Sequence, residues 1–319
     1  MSTDIVEAPP AAARTVPRIS PGTRRLRPPV GRPRVIETIA EYSETLDAVR
    51  RSGRTVGVVP TMGALHEGHR ALISRATSEC DVVAVSIFVN PTQFGDPSDL
   101  ADYPRPFEAD LEAVASVGAQ LVFAPSVGEM YPDPPGTTAT SVSVPALGAR
   151  WEGASRPGHF DGVATVVVKL LSAAGRCRAY FGEKDFQQLA VVTRVVRDLA
   201  LPTRVVGCPM VRDPDGLALS SRNARLRPDQ RRAALVLSRA LRAGAERLAD
   251  GAGPAEVEAV MERVVSCEPQ VDLDYAALVT ADDLEPARTG ATTRPLRLMV
   301  AATVGGVRLI DNVDPHRGP

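Results

Sequence analysis

The sequence predicts an α/β fold, a Rossmann-like, doubly wound parallel sheet followed by a smaller C-terminal α+β domain. From residue 35 onwards, short β-branched runs alternate with helical patterns, which is typical of repeated β–α units around a buried sheet. After about residue 210, long helical patterns precede three strand candidates. We therefore divide the chain into a tail at 1–34, a Rossmann-like domain at 35–210 and a smaller lid domain at 211–319.

The hydrophobic patterns place the individual elements. Strands of the larger domain are expected at 56–59, 82–89, 120–124, 178–181 and 203–208, and helices at 39–52, 68–78, 106–117, 163–174 and 187–200. In the smaller domain, helices are expected at 228–249 and 254–266, and strands at 274–280, 296–303 and 307–310. Gly305 and Gly306 separate the last two strands and predict a hairpin turn.

Composition narrows the class of partner. The 319 residues are 44% hydrophobic, enough for one large or two medium cores, and the net charge of −1 favours a small-molecule partner over nucleic acid or an anionic membrane. No apolar run reaches the roughly 18 residues that span a bilayer, and the N-terminus lacks the apolar core of a secretory signal. We expect a cytoplasmic protein whose four cysteines, which form no CxxC pair, are reduced and buried.

The first 34 residues are rich in Pro, Ala and Arg and show no hydrophobic periodicity. They predict a disordered, solvated tail. The alternative is a basic arm that touches nucleic acid.

The first candidate motif covers residues 56–69. A buried strand breaks at Pro60 and Gly63 and leads into a helix, which places polar side chains at the carboxyl edge of the sheet, where ligands bind in open α/β folds. His66 and His69 are three apart, so both can point at one anion if the helix has begun there. The N–H groups of the helix start add positive potential. The alternative is that the histidines only cap the helix or pack in a core.

The second motif, residues 85–94, is again a strand followed by a polar break. Asn90 and Gln93 should therefore emerge at the same edge as the histidines. A neutral amide can bind both a hydroxyl and a carboxylate oxygen, whereas the alternative for Asn90 and Pro91 is a plain turn.

The third motif, residues 180–188, repeats this order of strand, glycine, charges and helix. Lys184 and Gln188 are four apart and should share one face. Only two of the 37 lysine and arginine residues are lysines, and we expect Lys184 to contact phosphate and Lys169 to snorkel from a helix. A solvated salt-bridge cluster is the alternative for Lys184.

The fourth motif, residues 215–223, carries two hydroxyls and a guanidinium on a glycine-bearing loop. We expect this loop to be flexible and to close over a triphosphate. A further stretch, residues 156–163, begins with Arg156, which either approaches the nucleotide or belongs to a structural loop with a helix cap.

These motifs carry a family resemblance. His66-Glu-Gly-His69 is similar to the His-x-Gly-His signature of the nucleotidyltransferases and class I aminoacyl-tRNA synthetases. The fuller run at 60–69, Pro-Thr-Met-Gly-Ala-Leu-His-Glu-Gly-His, resembles the pantothenate synthetase family, as do the motifs at 156–163, 180–188 and 215–223. The resemblance extends from about residue 35 to 313. Leu219 departs from it, since the family usually has methionine there.

This resemblance implies a ligase that activates pantoate with ATP and Mg²⁺ as a noncovalent pantoyl adenylate and then joins it to β-alanine, releasing AMP and diphosphate. It also implies a homodimer, with catalytic roles for His66, His69 and Lys184. The implied ATP contacts come from Met62, Gly63, His66, His69, Gly182, Glu183, Lys184, Asp185, Val211, Leu219, Ser220, Ser221 and Arg222. The implied pantoate and β-alanine contacts come from Gln93, Gln188, Pro60, Thr61, Met62, Asn90 and Arg156.

Two other functions fit parts of the sequence. A sister nucleotidyltransferase would share the histidines and the serine loop, but the neutral Gln93 and Gln188 favour an uncharged diol with a carboxylate over a phosphorylated substrate. A nucleotide-binding regulator or an RNA-binding protein would use the Arg-rich tail, but the loops at 181–188 and 219–223 exceed what binding requires. No carboxylate cluster has metal-ligand spacing, so Asp110 and Asp185 are only candidates for a metal.

Overall fold

The computed structural model describes residues 31–133, 139–288 and 293–317, and these form two sheets. A parallel sheet has the order β1-β4-β3-β2-β5-β6, and an antiparallel sheet has the order β7-β8-β9. The strands are β1 (Arg34–Ile36), β2 (Val56–Thr61), β3 (Val82–Ile87), β4 (Leu121–Phe123), β5 (Cys177–Gly182), β6 (Thr203–Cys208), β7 (Val271–Thr280), β8 (Leu296–Val304) and β9 (Val307–Val313). The predicted fold class is confirmed.

Twelve α-helices lie in the described ranges. They are α1 (Ile39–Arg51), α2 (Glu67–Glu79), α3 (Pro97–Ala101), α4 (Phe107–Ser116), α5 (Val127–Met130), α6 (Pro145–Gly148), α7 (Glu152–Ser155), α8 (His159–Ala174), α9 (Phe186–Asp198), α10 (Pro228–Ala234), α11 (Val236–Ala249) and α12 (Pro254–Ser266). Short 3₁₀ helices occupy Pro91–Gln93, Glu183–Asp185 and Ser221–Arg225.

Three sequence predictions need correction. The single helix expected at 228–249 divides at Leu235, whose N–H bonds to the Arg232 carbonyl in a tighter turn. The strand β1 was not predicted, and it begins at Arg34, inside the expected tail, because pairing with β4 and not local pattern creates it. Cys267 is exposed, whereas the other three cysteines are buried and free as expected. Residues 1–30 of the tail lie outside the described residues.

The strand order creates a crevice beside β2. From β2 the chain moves outwards through β3 to β4, and it then returns to the other side of β2 to form β5 and β6. Where the order reverses, the carboxyl ends of β2 and β5 are neighbours with helices leaving on opposite faces, and ligands bind at such switch points. The first motif follows β2 and the third follows β5, so the fold brings them together.

The two sheets share apolar contacts. Ala277, Val279 and Met299 of the antiparallel sheet belong to the same buried cluster as the strands and helices of the parallel sheet. A second cluster lies between α11, α12 and the other face of the antiparallel sheet, and Leu241 and Met261 are fully buried in it. The small sheet therefore has a hydrophobic core on one side and the parallel sheet's core on the other.

The structure can be compared with the predicted hairpin turn and with the expectation about membrane-spanning segments. Gly305 and Gly306 join β8 to β9 with φ of +56° and +82°, the conformation of the predicted two-residue hairpin turn. Within the described ranges, no helix is both long and apolar enough to cross a membrane.

Gly162 in helix α8 packs directly on the 3₁₀ turn at Pro91–Gln93. A Cβ at this position would lie 2.3 Å from the Thr92 carbonyl oxygen. We expect Gly162→Ala to lower the free energy of unfolding by about 1–3 kcal/mol, because the clash outweighs the better helix propensity of alanine.

Chemical denaturation of Gly162→Ala and a control variant checks this prediction. Gly128 in α5 is the control, since a Cβ there would come no closer than 3.9 Å to the Ser126 hydroxyl. Gly128→Ala should leave stability unchanged within about 0.5 kcal/mol. Equal stability of the two variants would contradict the packing argument.

Candidate active site

A buried carboxylate holds the turn between β2 and α2. Gly63 and Ala64 have φ of +82° and +50°, and Asp110 accepts hydrogen bonds from the N–H groups of Ala64 (2.9 Å) and Leu65 (2.7 Å). A Cβ at position 63 would lie 2.8 Å from Asp110 Oδ2, so the turn has room only for glycine. Asp110 was a candidate metal ligand, but its observed contacts are those of a residue that fixes the turn.

The start of helix α2 fixes both histidines. The Nδ1 of His66 accepts the Gly68 N–H at 3.1 Å, and the Nδ1 of His69 accepts the His66 N–H at 3.3 Å. A backbone N–H can only donate, so both Nδ1 atoms are unprotonated and each neutral ring carries its proton on Nε2. The rings are neighbours, with centroids 4.1 Å apart. The histidines therefore cap the helix and keep two Nε2–H donors.

The surroundings favour the neutral form of both rings. Burial and the nearby Lys184 lower the pKa of His66 below its ordinary value. Burial and His66 lower the pKa of His69 to about 3. At neutral pH both residues thus act as hydrogen-bond donors and not as cations, in contrast to the positive groups near them.

Two side chains hold the amide of Gln93. Asn90 Nδ2 donates to Gln93 Oε1 at 3.1 Å, and Gln93 Nε2 contacts Met62 Sδ at 2.9 Å. Asn90 also donates to the Gly162 carbonyl, and its Oδ1 accepts the Tyr131 hydroxyl at 2.8 Å. Asn90 is only 1% exposed and its polar atoms are engaged within the protein, so the structure supports a positioning role for it.

His159 binds the backbone of Gln93 and is itself held by Arg156. His159 Nδ1 donates to the Gln93 carbonyl at 2.9 Å, and its Nε2 accepts from Arg156 Nη1 at 3.1 Å. Burial and Arg156 lower the pKa of His159 to about 4, which keeps this arrangement neutral. The sequence analysis gave His159 no role of its own.

The third motif forms a turn that borders a cleft. Lys184 lies in the 3₁₀ turn Glu183–Asp185, its side chain is 19% exposed, and its Nζ is 3.5 Å from Asp185 Oδ1. Lys184, Gln188, Arg156 and His159 all line one cleft of about 440 Å³. Lys169 lies half-buried in α8, with its Nζ 5.5 Å from the Tyr131 ring centre, and its expected reach to the surface stays a prediction.

The loop of the fourth motif is held at its base. Arg212 makes a two-pronged ion pair with Asp311 at 2.7 and 2.8 Å, and Arg231 pairs with Asp213 and Asp215. Val211 accepts the Leu219 N–H at 3.0 Å. Ion pairs and hydrogen bonds therefore fix the base of the loop as far as Leu219, and its expected flexibility stays a prediction.

The tip of this loop lies beside Lys184. The Ser220 hydroxyl accepts the Arg222 N–H, and Ser220, Arg222 and Lys184 line a second cleft of about 320 Å³. Burial and the proximity of Arg222 lower the pKa of Arg156, so these two guanidinium groups repel each other. The site thus concentrates positive charge that an anion would neutralise.

Comparison with known proteins decides the family. The family model described as Pantoate-beta-alanine ligase matches residues 34–314. The chain belongs to the pantoate–β-alanine ligase family. A pantothenate synthetase of Chelativorans sp. is 50% identical over 279 residues, covering 88% of this chain and 96% of the relative. One of Rubrobacter xylanophilus is 52% identical over 271 residues, covering 82% and 92%.

Solved structures of the ligase family have the same fold. Pantothenate synthetase from Thermus thermophilus aligns with a TM-score of 0.80 at 46% identity, covering 88% of this chain and 99% of that one. A pantoate–β-alanine ligase from Francisella tularensis, solved with a β,γ-ATP compound and β-alanine, aligns with a TM-score of 0.69 at 34% identity, covering 89% and 98%. This chain is accordingly a ligase of that family.

The site of this ligase contains two contacts that its sequence did not reveal, those of Asp110 with Ala64 and of Tyr131 with Asn90. Asp110 lies 46 residues from Ala64 along the chain, and Tyr131 lies 41 residues from Asn90, so no local pattern joins them. Within the described ranges, no group of three His, Cys, Asp or Glu side chains could hold a metal ion.

The buried His159 predicts a loss of stability in acid. An unfolded histidine binds a proton near pH 6.5, whereas folded His159 binds one only near pH 4, so between these values the unfolded state holds more protons. Stability is therefore lost as the pH falls from 6.5 towards 4, by up to about 2 kcal/mol at pH 5 from this residue.

Denaturation of wild type and His159→Asn at pH 6.5 and pH 5 measures this loss. Asparagine can still donate to the Gln93 carbonyl but does not titrate, so the variant should lose less stability on acidification. The exposed His316, replaced in His316→Asn, is the control and should behave like wild type. An acid-induced loss in His159→Asn as large as in wild type would contradict this assignment.

Proposed function

We propose that this ligase activates pantoate by attack of its carboxylate on the α-phosphate of ATP, which expels pyrophosphate and leaves a pantoyl adenylate, and then transfers the acyl group to β-alanine with release of AMP. The observation that carries the proposal is the pair of Nε2–H donors fixed at the start of α2. Two locked donors beside a concentration of positive charge suit a reaction in which two anions must meet.

The phosphates of ATP would lie between the start of helix α2 on one side and, on the other side, the turn after β5 and the loop of the fourth motif. His66 and His69 donate from the α2 side, and Lys184, Ser220, Ser221 and Arg222 approach from the β5 turn and the loop. The remaining contacts with ATP would come from Met62, Gly63, Gly182, Glu183, Asp185, Val211 and Leu219. The repulsion between Arg156 and Arg222 is relieved when anionic phosphate lies between them.

Pantoate would be held by the two glutamines. Gln93 is fixed by Asn90 and Met62, and Gln188 lines the same cleft as Arg156. By the family resemblance, Pro60 and Thr61, at the end of β2, would border the same site. This holds the pantoate carboxylate in line with the α-phosphate, and such positioning can supply several kcal/mol, up to about 7–11, of the barrier reduction.

Magnesium would enter with ATP. A protein commonly binds Mg²⁺ through one or two carboxylates together with substrate phosphates, and Asp185, an exposed carboxylate beside Lys184, fits that mode. When bound, the ion neutralises phosphate charge. This chain's residues then keep the adenylate in place while the β-alanine nitrogen forms a bond to the acyl carbon and the bond to AMP breaks.

We also propose the wider organisation that the family resemblance implies. The division at about residue 210 separates a nucleotide- and pantoate-binding domain from a lid domain. The enzyme would be a cytoplasmic homodimer formed through the larger domain, and its partners would be small molecules and not nucleic acid or a membrane.

Pyrophosphate release tests the proposed reaction. Purified enzyme with ATP and Mg²⁺ should release pyrophosphate only when pantoate is present, and AMP and pantothenate should accumulate once β-alanine is added. A series of other carboxylic acids serves as the control. Pyrophosphate release that requires β-alanine from the start would contradict the two-step order.

Two substitutions of His69 separate its structural and chemical roles. His69→Asn keeps an acceptor for the His66 N–H but removes the Nε2–H, so we expect near-wild-type stability and a loss of about 10²–10³-fold in kcat. His69→Gln can also accept the His66 N–H, because glutamine at the third helical position is a usual capping-box residue, and its amide N–H can lie near the Nε2 position, so we expect near-wild-type stability and more activity than in His69→Asn. Higher activity of His69→Asn would contradict the assignment.

A further inference from the structure

The turn that carries Lys184 is held by a side chain from the other sheet. Asn312 on β9 donates from its single Nδ2 to the carbonyl oxygens of Glu183 (3.0 Å) and Lys184 (2.8 Å). Asn312 therefore ties the backbone of this turn to the antiparallel sheet.

The orientation of the Asn312 amide is fixed by Arg297 on β8. Arg297 Nε donates to Asn312 Oδ1 at 2.7 Å, which leaves the NH₂ group facing the two carbonyls. The guanidinium also contacts Glu183 Oε2 at 3.2 Å and lies 4.2 Å from the centre of the Phe186 ring. Arg297 and Asn312 are only 8% and 5% exposed, so solvent does not compete strongly for these bonds.

Asp311, the residue before Asn312, holds the base of the loop of the fourth motif. Asp311 is 3% exposed and accepts two hydrogen bonds from Arg212 in a bidentate ion pair. Arg212 also donates to the Gly216 carbonyl. Two successive residues of β9 thus fix the backbone of the Lys184 turn and the base of the loop that carries Ser220 and Arg222. Their spacing along one strand sets the distance between these two elements.

We propose that Asn312, oriented by Arg297, is a positioning residue that places the Lys184 ammonium for the phosphates of ATP. The inference rests on the proposed contact between Lys184 and ATP. Asn312 also lines the cleft, but both of its Nδ2 hydrogen bonds go to the backbone of the Lys184 turn, so its effect on catalysis should pass through Lys184. Loss of Asn312 should displace the turn, and a displacement of about 1 Å can cost on the order of 10²-fold in rate.

A double-mutant cycle tests this route, with kcat and KM for ATP measured by pantoate-dependent pyrophosphate release. Asn312→Ala should lower kcat/KM for ATP by about ten-fold or more, and Lys184→Ala by about 10²–10³-fold. In the double variant the loss should equal that of Lys184→Ala within about two-fold, because Asn312 has nothing left to position. Losses that multiply would overturn the proposal.

Val313→Ala is the matched control for a merely structural effect. Val313 is the next residue of β9, is 5% exposed and belongs to the second hydrophobic cluster. Its truncation should reduce stability by about 1–3 kcal/mol and change kcat/KM for ATP by less than about two-fold. A kinetic loss in Val313→Ala equal to that in Asn312→Ala would overturn the proposal.

Fluorescence shows whether each variant remains folded. Trp151 is the only tryptophan of the chain, and its Nε1 donates to the Leu284 carbonyl at 3.0 Å next to the Tyr275 ring. If Asn312→Ala loses this signal, Arg297→Met replaces it in the cycle, since methionine preserves apolar contact with Phe186.

Wild type without pantoate-dependent release would overturn the proposed function, whereas an active wild type with an unaffected Asn312→Ala would overturn this inference alone.

Discussion

Both histidines of the site give their Nδ1 lone pairs to backbone N–H groups of the same helix start, and the arrangement of the site depends on this. The bonds satisfy donors that a helix N-terminus otherwise leaves unpaired. They also leave each ring one proton, on Nε2, and one direction in which to offer it. A local requirement of helix formation thereby produces a fixed pair of donors without a charge, next to a lysine whose charge disfavours their protonation.

The remaining charges are organised by contacts between the two sheets. The parallel sheet supplies the switch point where β2 and β5 end side by side. The antiparallel sheet supplies Asp311 and Asn312, which hold Arg212 and the Lys184 turn. Because these buried side chains fix the Lys184 turn and the base of the loop that carries Arg222, the two cations can line one cleft. Such preorganisation means that little reorganisation is needed when an anionic substrate binds.

The sequence was sufficient where local pattern and chemistry agree. The five strands predicted in the larger domain and the polar breaks after three of them are present, and parallel topology then places the motifs at one edge. The sequence was insufficient for contacts made across the fold. Asp110, Tyr131, Arg297 and Asn312 act on residues more than 40 positions away or on another sheet, and no periodicity in the chain marks such partners. The alternatives considered for the histidines, a helix cap or a ligand site, are compatible, since each ring has two nitrogens.

Nitrogen NMR of ¹⁵N-histidine-labelled enzyme without ligand tests the central claim most directly. The chain has four histidines, so the spectrum is simple and His→Asn variants can assign it. At pH 7, His66 and His69 should both be neutral with the proton on Nε2, and His159 neutral with the proton on Nδ1. A protonated imidazolium, or a proton on Nδ1 of His66 or His69, would contradict the account of how this site is built.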